Sequence, residues 1–159
     1  MAELTITKAS FHRFKKFRDS EILLNPGVSL LAGGNNSGKT SVLQGLAIWE
    51  FCKTVLEIER GKKSLCVGKK GQGVGIGDDD FTPINVPSLK HLWTNLRTQK
   101  DKESDGYTLW IRIDWIFKTT ERYLIIGLSL VNDRLFIKDL DTNVQEGEQI
   151  PRIAYVQCR

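Results

Sequence analysis

Apolar side chains recur at alternate positions near the start of the chain, at Leu4 and Ile6 and then at Ala9 and Phe11. Lys8 stands where the alternation expects an apolar residue. A period of two predicts a strand, and the slip at Lys8 predicts a bulge in it. "EILL" (21–24) reads as a second strand, the "NPG" of Asn25 to Gly27 as a tight turn, and "VSLLA" (28–32) as a third strand. The period then changes. Val42, Leu43, Leu46, Ala47, Phe51, Val55 and Leu56 follow near-helical spacing, which predicts a helix from about Lys39 to Arg60, stopped by Gly61.

Residues 61–81, "GKKSLCVGKKGQGVGIGDDDF", carry six glycines and four lysines and read as a flexible loop or a glycine-broken hairpin. They hold no G-x-G-x-x-G. "VPSLKHLWTNLR" predicts a short helix, with Ser88 as N-cap and Leu89, Leu92, Trp93 and Leu96 on one face. The rest is strand-like: "YTLWIRIDWIF" with Tyr107, Leu109, Ile111, Ile113 and Trp115 on one face, then "RYLIIGLSLV", "DRLFIKDL" and "RIAYVQ". The second half is therefore read as mostly antiparallel β, in one domain spanning 1–159.

Composition narrows the classes. At 159 residues with 40% apolar content the chain can bury a core. "MAELTITKASF" lacks the apolar stretch of a signal peptide, and no apolar run is long enough to cross a bilayer. Three cysteines, Cys52, Cys66 and Cys158, show no metal-type spacing and leave an odd one over, which suits a reducing, cytoplasmic setting. His12 and His91 show no zinc pattern. Residues 1–70 hold 12 Lys/Arg against 6 Asp/Glu, whereas residues 71–159 hold 11 against 13. The basic N-terminal half suits either nucleic acid or a triphosphate.

The chemistry concentrates in "GGNNSGKT". From Gly33 to Thr40 it has the spacing G-x-x-x-x-G-K-T, with an apolar strand signal before it and a helix signal after it. Such a loop presents the backbone N–H groups of Gly33, Gly34, Asn35, Asn36, Ser37, Gly38, Lys39, Thr40 and Ser41 to phosphate oxygens, assisted by the helix dipole. Glycine at 33 and 38 permits close approach of the backbone. Lys39 is placed for the β- and γ-phosphates, and the Thr40 hydroxyl for Mg²⁺. A GTPase would need D-x-x-G and N-K-x-D downstream. No Asp precedes a Gly at that spacing, and no Asn precedes a Lys. The strand meander before the loop and the β-rich stretch after it also argue against a small-molecule kinase.

"GGNNSGKTS" resembles the phosphate loop of ABC-type ATPase heads of the SMC, RecF and OLD-nuclease kind, its double Asn being most similar to RecF- and OLD-type proteins. "FKKFRDSEILLNPGVSLLAG" resembles that family's entry to the loop, and Lys15 falls on its basic residue near the nucleotide phosphates. The resemblance covers residues 4 to about 50. It implies a P-loop NTPase α/β fold, here the N-terminal lobe of an ABC-type head: a strand meander, the phosphate-loop helix and an antiparallel β-rich second half. It also implies ATP and Mg²⁺ as ligands and a homodimer of heads in the complete protein, serving DNA repair, maintenance or anti-phage defence. Gln157 in "AYVQCR" is a candidate for the family's Mg²⁺-linked Q-loop glutamine.

Hydrolysis in that family also needs an acidic pair after an apolar strand and a signature motif. Asp114 follows a run broken by Arg112, and Asp139 follows Lys138, so both read as ordinary strand residues. No signature motif is present in the chain. Two readings follow: the ATP-binding N-terminal part of a longer ATPase, or a stand-alone ATP-binding module without turnover. DNA contact is a further candidate role for Arg13, Lys15, Lys16 and Arg18, and for Lys62, Lys63, Lys69 and Lys70. Asp78, Asp79 and Asp80 read as a loop or capping run.

Overall fold

A computed structural model describes residues 4–24, 39–69, 71–98 and 106–154. The turn and third strand expected at 25–32 lie outside these residues. Among the described residues are β1 (Leu4–Phe14), β2 (Phe17–Leu23), α1 (Lys39–Arg60), β3 (Val74–Ile76), β4 (Leu109–Phe117), β5 (Thr120–Val131) and β6 (Arg134–Thr142). The strands form one sheet in the order β2-β1-β4-β5-β6-β3, every neighbouring pair antiparallel.

Tight turns set this order. β5 and β6 pair Val131 with Arg134 across Asn132 and Asp133, whose φ values of 49° and 62° match a hairpin turn that follows the natural strand twist. Asn and Asp tolerate that left-handed conformation better than other non-glycine residues. The β1–β2 hairpin also closes over two residues, Phe14 opposite Phe17 with Lys15 and Lys16 between them, but of these two only Lys15, at φ 50°, has a positive φ. The bulge expected near Lys8 is present as a register shift between Ile6 and Lys8 against β4.

One face of the sheet is dry. Leu109, Ile111, Ile113 and Trp115 of β4 join Ala9 and Phe11 of β1, Leu124, Ile126 and Leu128 of β5, and Leu135 and Ile137 of β6. Alternation sends Trp110, Arg112 and Asp114 to the opposite face. There Arg112 holds both Asp114 carboxylate oxygens at 2.9 Å and lies 4.1 Å from the Tyr123 ring centre. Trp110 stacks on His12, with ring centres 5.1 Å apart.

α1 covers the dry face with the limits expected for it, ending before Gly61 at φ 86°. Of its expected stripe Val42, Ala47 and Leu56 are buried and Leu46, Phe51 and Val55 pack at the edge of the core, whereas Leu43 is 37% exposed. The centre is shifted to Ile48, Trp49 and Cys52. The reason lies at Gly45, where a Cβ would sit 2.3 Å from Phe11 Cε1. The bare backbone lets the Phe11 ring approach the helix, so the stripe containing Gly45 turns inward. Phe51, on the other side, meets Phe81 edge-to-face at 5.5 Å. Gly45→Ala should therefore destabilise the fold by about 1–3 kcal/mol through overpacking, despite the gain in helix propensity. Denaturant unfolding checks this, and Phe11→Leu in the same chain should recover part of the loss.

Other segments depart from expectation. The short helix at 88–96 is two 3-10 turns, Leu89–Leu92 and Thr94–Leu96, with Leu96 exposed and Asn95 at φ 55°. Ser88 Oγ lies 3.0 Å from His91 Nδ1 and makes no cap to the backbone, so no α-helix starts there. Within 61–81, Leu65 and Cys66 are buried and β3 extends the sheet beside β6. Residues 152–154 form no strand. They are tied to α1 instead: Glu50 Oε1 accepts the Ile153 N–H at 2.6 Å, and Lys53 Nζ donates to the Pro151 carbonyl at 2.7 Å. No described helix is long and apolar enough to cross a membrane.

Candidate nucleotide-phosphate site

Residues 33–38 of the phosphate-loop spacing, and Gln157, lie outside the described residues. Its last two positions open α1, which begins at Lys39. Thr40 is exposed at the helix start and Ser41 is buried beside it. The first turn of α1 contains no acidic side chain. The positive end of the helix thus has no carboxylate of its own in that turn, which leaves it available to an external anion.

The β1–β2 hairpin closes over this end of the helix. Phe11 packs against Gly45, and at the adjoining position Gln44 Oε1 accepts a hydrogen bond from Lys15 Nζ. Thr40 and Gln44 are four residues apart and so share a helix face. The residue that holds the Lys15 ammonium is therefore one helical turn on from Thr40, roughly 6 Å along the axis from backbone to backbone.

Three contacts fix the hairpin from the other side. The Lys15 backbone N–H donates to Leu92 O at 2.9 Å, Phe14 bridges to Trp93, and Thr94 Oγ1 donates to Phe17 O at 3.1 Å. Phe14 and Phe17 stack on Phe11 with centre separations of 5.8 and 5.2 Å. The aromatics of "HRFKKFR" thus anchor the turn. Of its basic residues Lys16 and Arg18 are exposed, whereas Arg13 is partly buried, its Nη1 shielded from solvent.

Burial lowers the pKa of the Lys15 ammonium from its ordinary value. Its hydrogen-bond partner is a neutral amide, and among the described residues no carboxylate pairs with it. A half-buried cation with a neutral partner, over an acid-free helix start, is a donor set that fits phosphate. The exposed Thr40 hydroxyl fits a metal bound through the same phosphates.

The acidic candidates are elsewhere. Asp114 points to the opposite face of the sheet and is held by Arg112. Asp139 pairs at 2.6 Å with Arg60, at the far end of α1. Twenty residues of helix separate Arg60 from Thr40, about 30 Å. Both aspartates are structural partners of arginines. Among the described residues no group of three His, Cys, Asp or Glu side chains could hold a metal ion. Asp78, Asp79 and Asp80 form an exposed 3-10 turn. Of the other lysines noted above, Lys63 reaches Glu146 at 3.6 Å on the surface. Gln44 is the site residue that the sequence reading missed. Its one legible signal was its place four residues after Thr40.

The described part of this region is thus the start of α1, at Lys39 and Thr40, with the Lys15 hairpin bonded to it at Gln44. Residues 8–153 match the profile of the AAA domain family, and the chain belongs to that family of P-loop ATPases. It is also similar to the DNA replication and repair protein RecF of Limosilactobacillus reuteri (strain DSM 20016), with 31% identity over 51 residues. The RecF of Limosilactobacillus reuteri subsp. reuteri (strain JCM 1112) matches to the same extent. Each match covers 32% of this chain and 14% of the relative, so the chain spans a small part of the length of these proteins.

Proposed function

We propose that this chain is the ATP-binding N-terminal part of a RecF/SMC/OLD-like ATPase that couples Mg-ATP binding and hydrolysis to DNA repair, maintenance or anti-phage defence. The observation that carries the reading is the Lys15–Gln44 contact, which sets a half-buried cation beside the helix start completing Gly33–Thr40. In this reading the loop residues Gly33 to Ser41 and Lys15 hold the phosphates, Lys39 reaches the β- and γ-phosphates, and Thr40 ligates Mg²⁺. Mg²⁺, when bound, supplies charge neutralisation across the phosphate oxygens. Gln157 is proposed as a further Mg²⁺-linked residue, and a homodimer of heads as the working assembly. The family membership and the RecF similarity support an ATPase of the DNA-repair kind.

A second reading, a non-hydrolysing ATP-binding module, is favoured by one observation: Asp114 and Asp139 are both committed to arginines away from the helix start. Calorimetric titration with Mg-ATP tests nucleotide binding, and phosphate release tests turnover. We expect saturable binding that Lys39→Ala weakens by about a hundredfold, the loss of one or two charge-assisted hydrogen bonds. Binding unchanged by Lys39→Ala would overturn the site. Binding without phosphate release is expected of both readings; a stable, monomeric, nucleotide-bound chain would favour the second.

A further inference from the structure

We infer that Gln44 is a positioning residue for the nucleotide, holding the Lys15 ammonium in the direction of the phosphates; this rests on the reading above. Four observations carry it. Lys15 sits at φ 50°, a backbone conformation that side chains other than glycine adopt at a cost, so the turn aims this residue by construction. Its backbone N–H is fixed to Leu92 O, which removes the freedom of the turn to swing. Its side chain then runs to Gln44, on the helix face that carries Thr40. Finally, the partner is neutral. A carboxylate would satisfy the ammonium, whereas an amide oxygen orients it and leaves most of its charge for an anion.

Orientation is the quantity at stake. A free lysine side chain samples many rotamers, and immobilising it on a ligand loses much of that freedom. Gln44 restricts the side chain before the ligand arrives. Gly45, next in sequence, does the same for the backbone by admitting Phe11. Together they join the hairpin to α1 at two adjoining positions.

The test is Mg-ATP titration of the full chain with Lys39→Ala, Lys15→Met, Gln44→Met, Gln44→Glu and the Lys15→Met/Gln44→Met pair. Each variant is also followed by thermal unfolding. Gln44→Met keeps length and apolar volume but has no acceptor oxygen, whereas Gln44→Glu keeps the acceptor. We expect Gln44→Met and Lys15→Met each to weaken binding by about tenfold, the size of one charge-assisted contact. The pair should be no weaker than Lys15→Met alone, and Gln44→Glu, whose carboxylate pairs with the ammonium and adds a negative charge near the phosphates, should weaken binding at least as much as Gln44→Met. A merely structural role would instead lower the unfolding midpoint of Gln44→Met and leave the affinity of its folded fraction unchanged. Additive losses, or a Gln44→Met affinity equal to that of the natural chain while Lys39→Ala loses binding, would overturn the inference and leave the phosphate site standing. Indifference of binding to Lys39→Ala would overturn the site and the inference together.

Discussion

Trp49→Ala should destabilise the protein by about 3–5 kcal/mol and lower its unfolding midpoint by roughly 10 °C or more. Trp49 is fully buried at the middle of α1. Its ring meets Trp115 of β4 edge-to-face at 6.4 Å, and its indole N–H donates to Leu124 O of β5 at 3.2 Å. One side chain therefore ties the helix to two neighbouring central strands, by area and by direction. Deleting the ring leaves a cavity between a helix and a sheet, which closes only in part because backbone on both sides is hydrogen-bonded. Trp49→Phe separates the contributions. It keeps most of the apolar contact and loses the N–H, so its cost should be about 1–2 kcal/mol. Calorimetric melting of the two variants checks both numbers, and equal costs would mean that the hydrogen bond, not the packing, anchors the helix.

The second large effect is expected at Lys53, whose side chain is only 4% exposed. Its ammonium donates to Glu50 Oε1 at 2.8 Å and to Pro151 O at 2.7 Å, and lies 5.5 Å from the Trp49 ring centre. Glu50 in turn accepts from Ile153 N and from Thr54 Oγ1. Lys53→Ala removes the cation and leaves a largely buried carboxylate and a buried carbonyl without their partner. Breaking a buried pair on one side typically costs about 3–5 kcal/mol. The loss should be local before it is global: Ile153 and its neighbours should lose amide-exchange protection ahead of the sheet. Combining Lys53→Met with Glu50→Gln should recover part of the stability, because the remaining acceptor is neutral and still takes the Ile153 N–H. If the double variant is no more stable than Lys53→Ala, lost packing rather than the orphaned charge sets the cost.

Much of this molecule can be read from residue order. The alternation in β1, the break at Lys8, the four buried β4 positions and the helix limits at Lys39 and Gly61 are local signals. A residue's fate there depends on neighbours within a few positions. Asp114 illustrates how far such reading reaches: broken apolar flanks argued against an acidic catalytic role, and its ion pair with Arg112 agrees. The misreadings are equally physical. The stretch 88–96 has helical apolar spacing, but the bonds of the hairpin to Leu92 O and from Thr94 Oγ1 hold it in 3-10 turns. Residues 152–154 have strand-like composition, yet the Ile153 N–H goes to the Glu50 side chain, next to the Pro151 carbonyl held by Lys53.

The motif Gly33–Thr40 and the family resemblance it carries were legible along the chain, because each rests on spacing. The face that α1 turns inward, the clasp of Glu50 and Lys53 on residues 151–153, and the seat of Lys15 on Gln44 were decided between segments. Gln44 and Lys15 are 29 residues apart, and the Lys53 to Pro151 bond spans 98. No local period encodes such pairs. The Lys15 pair exists because Gly45 lets Phe11 reach the helix backbone, and that approach brings the hairpin within hydrogen-bonding distance of Gln44.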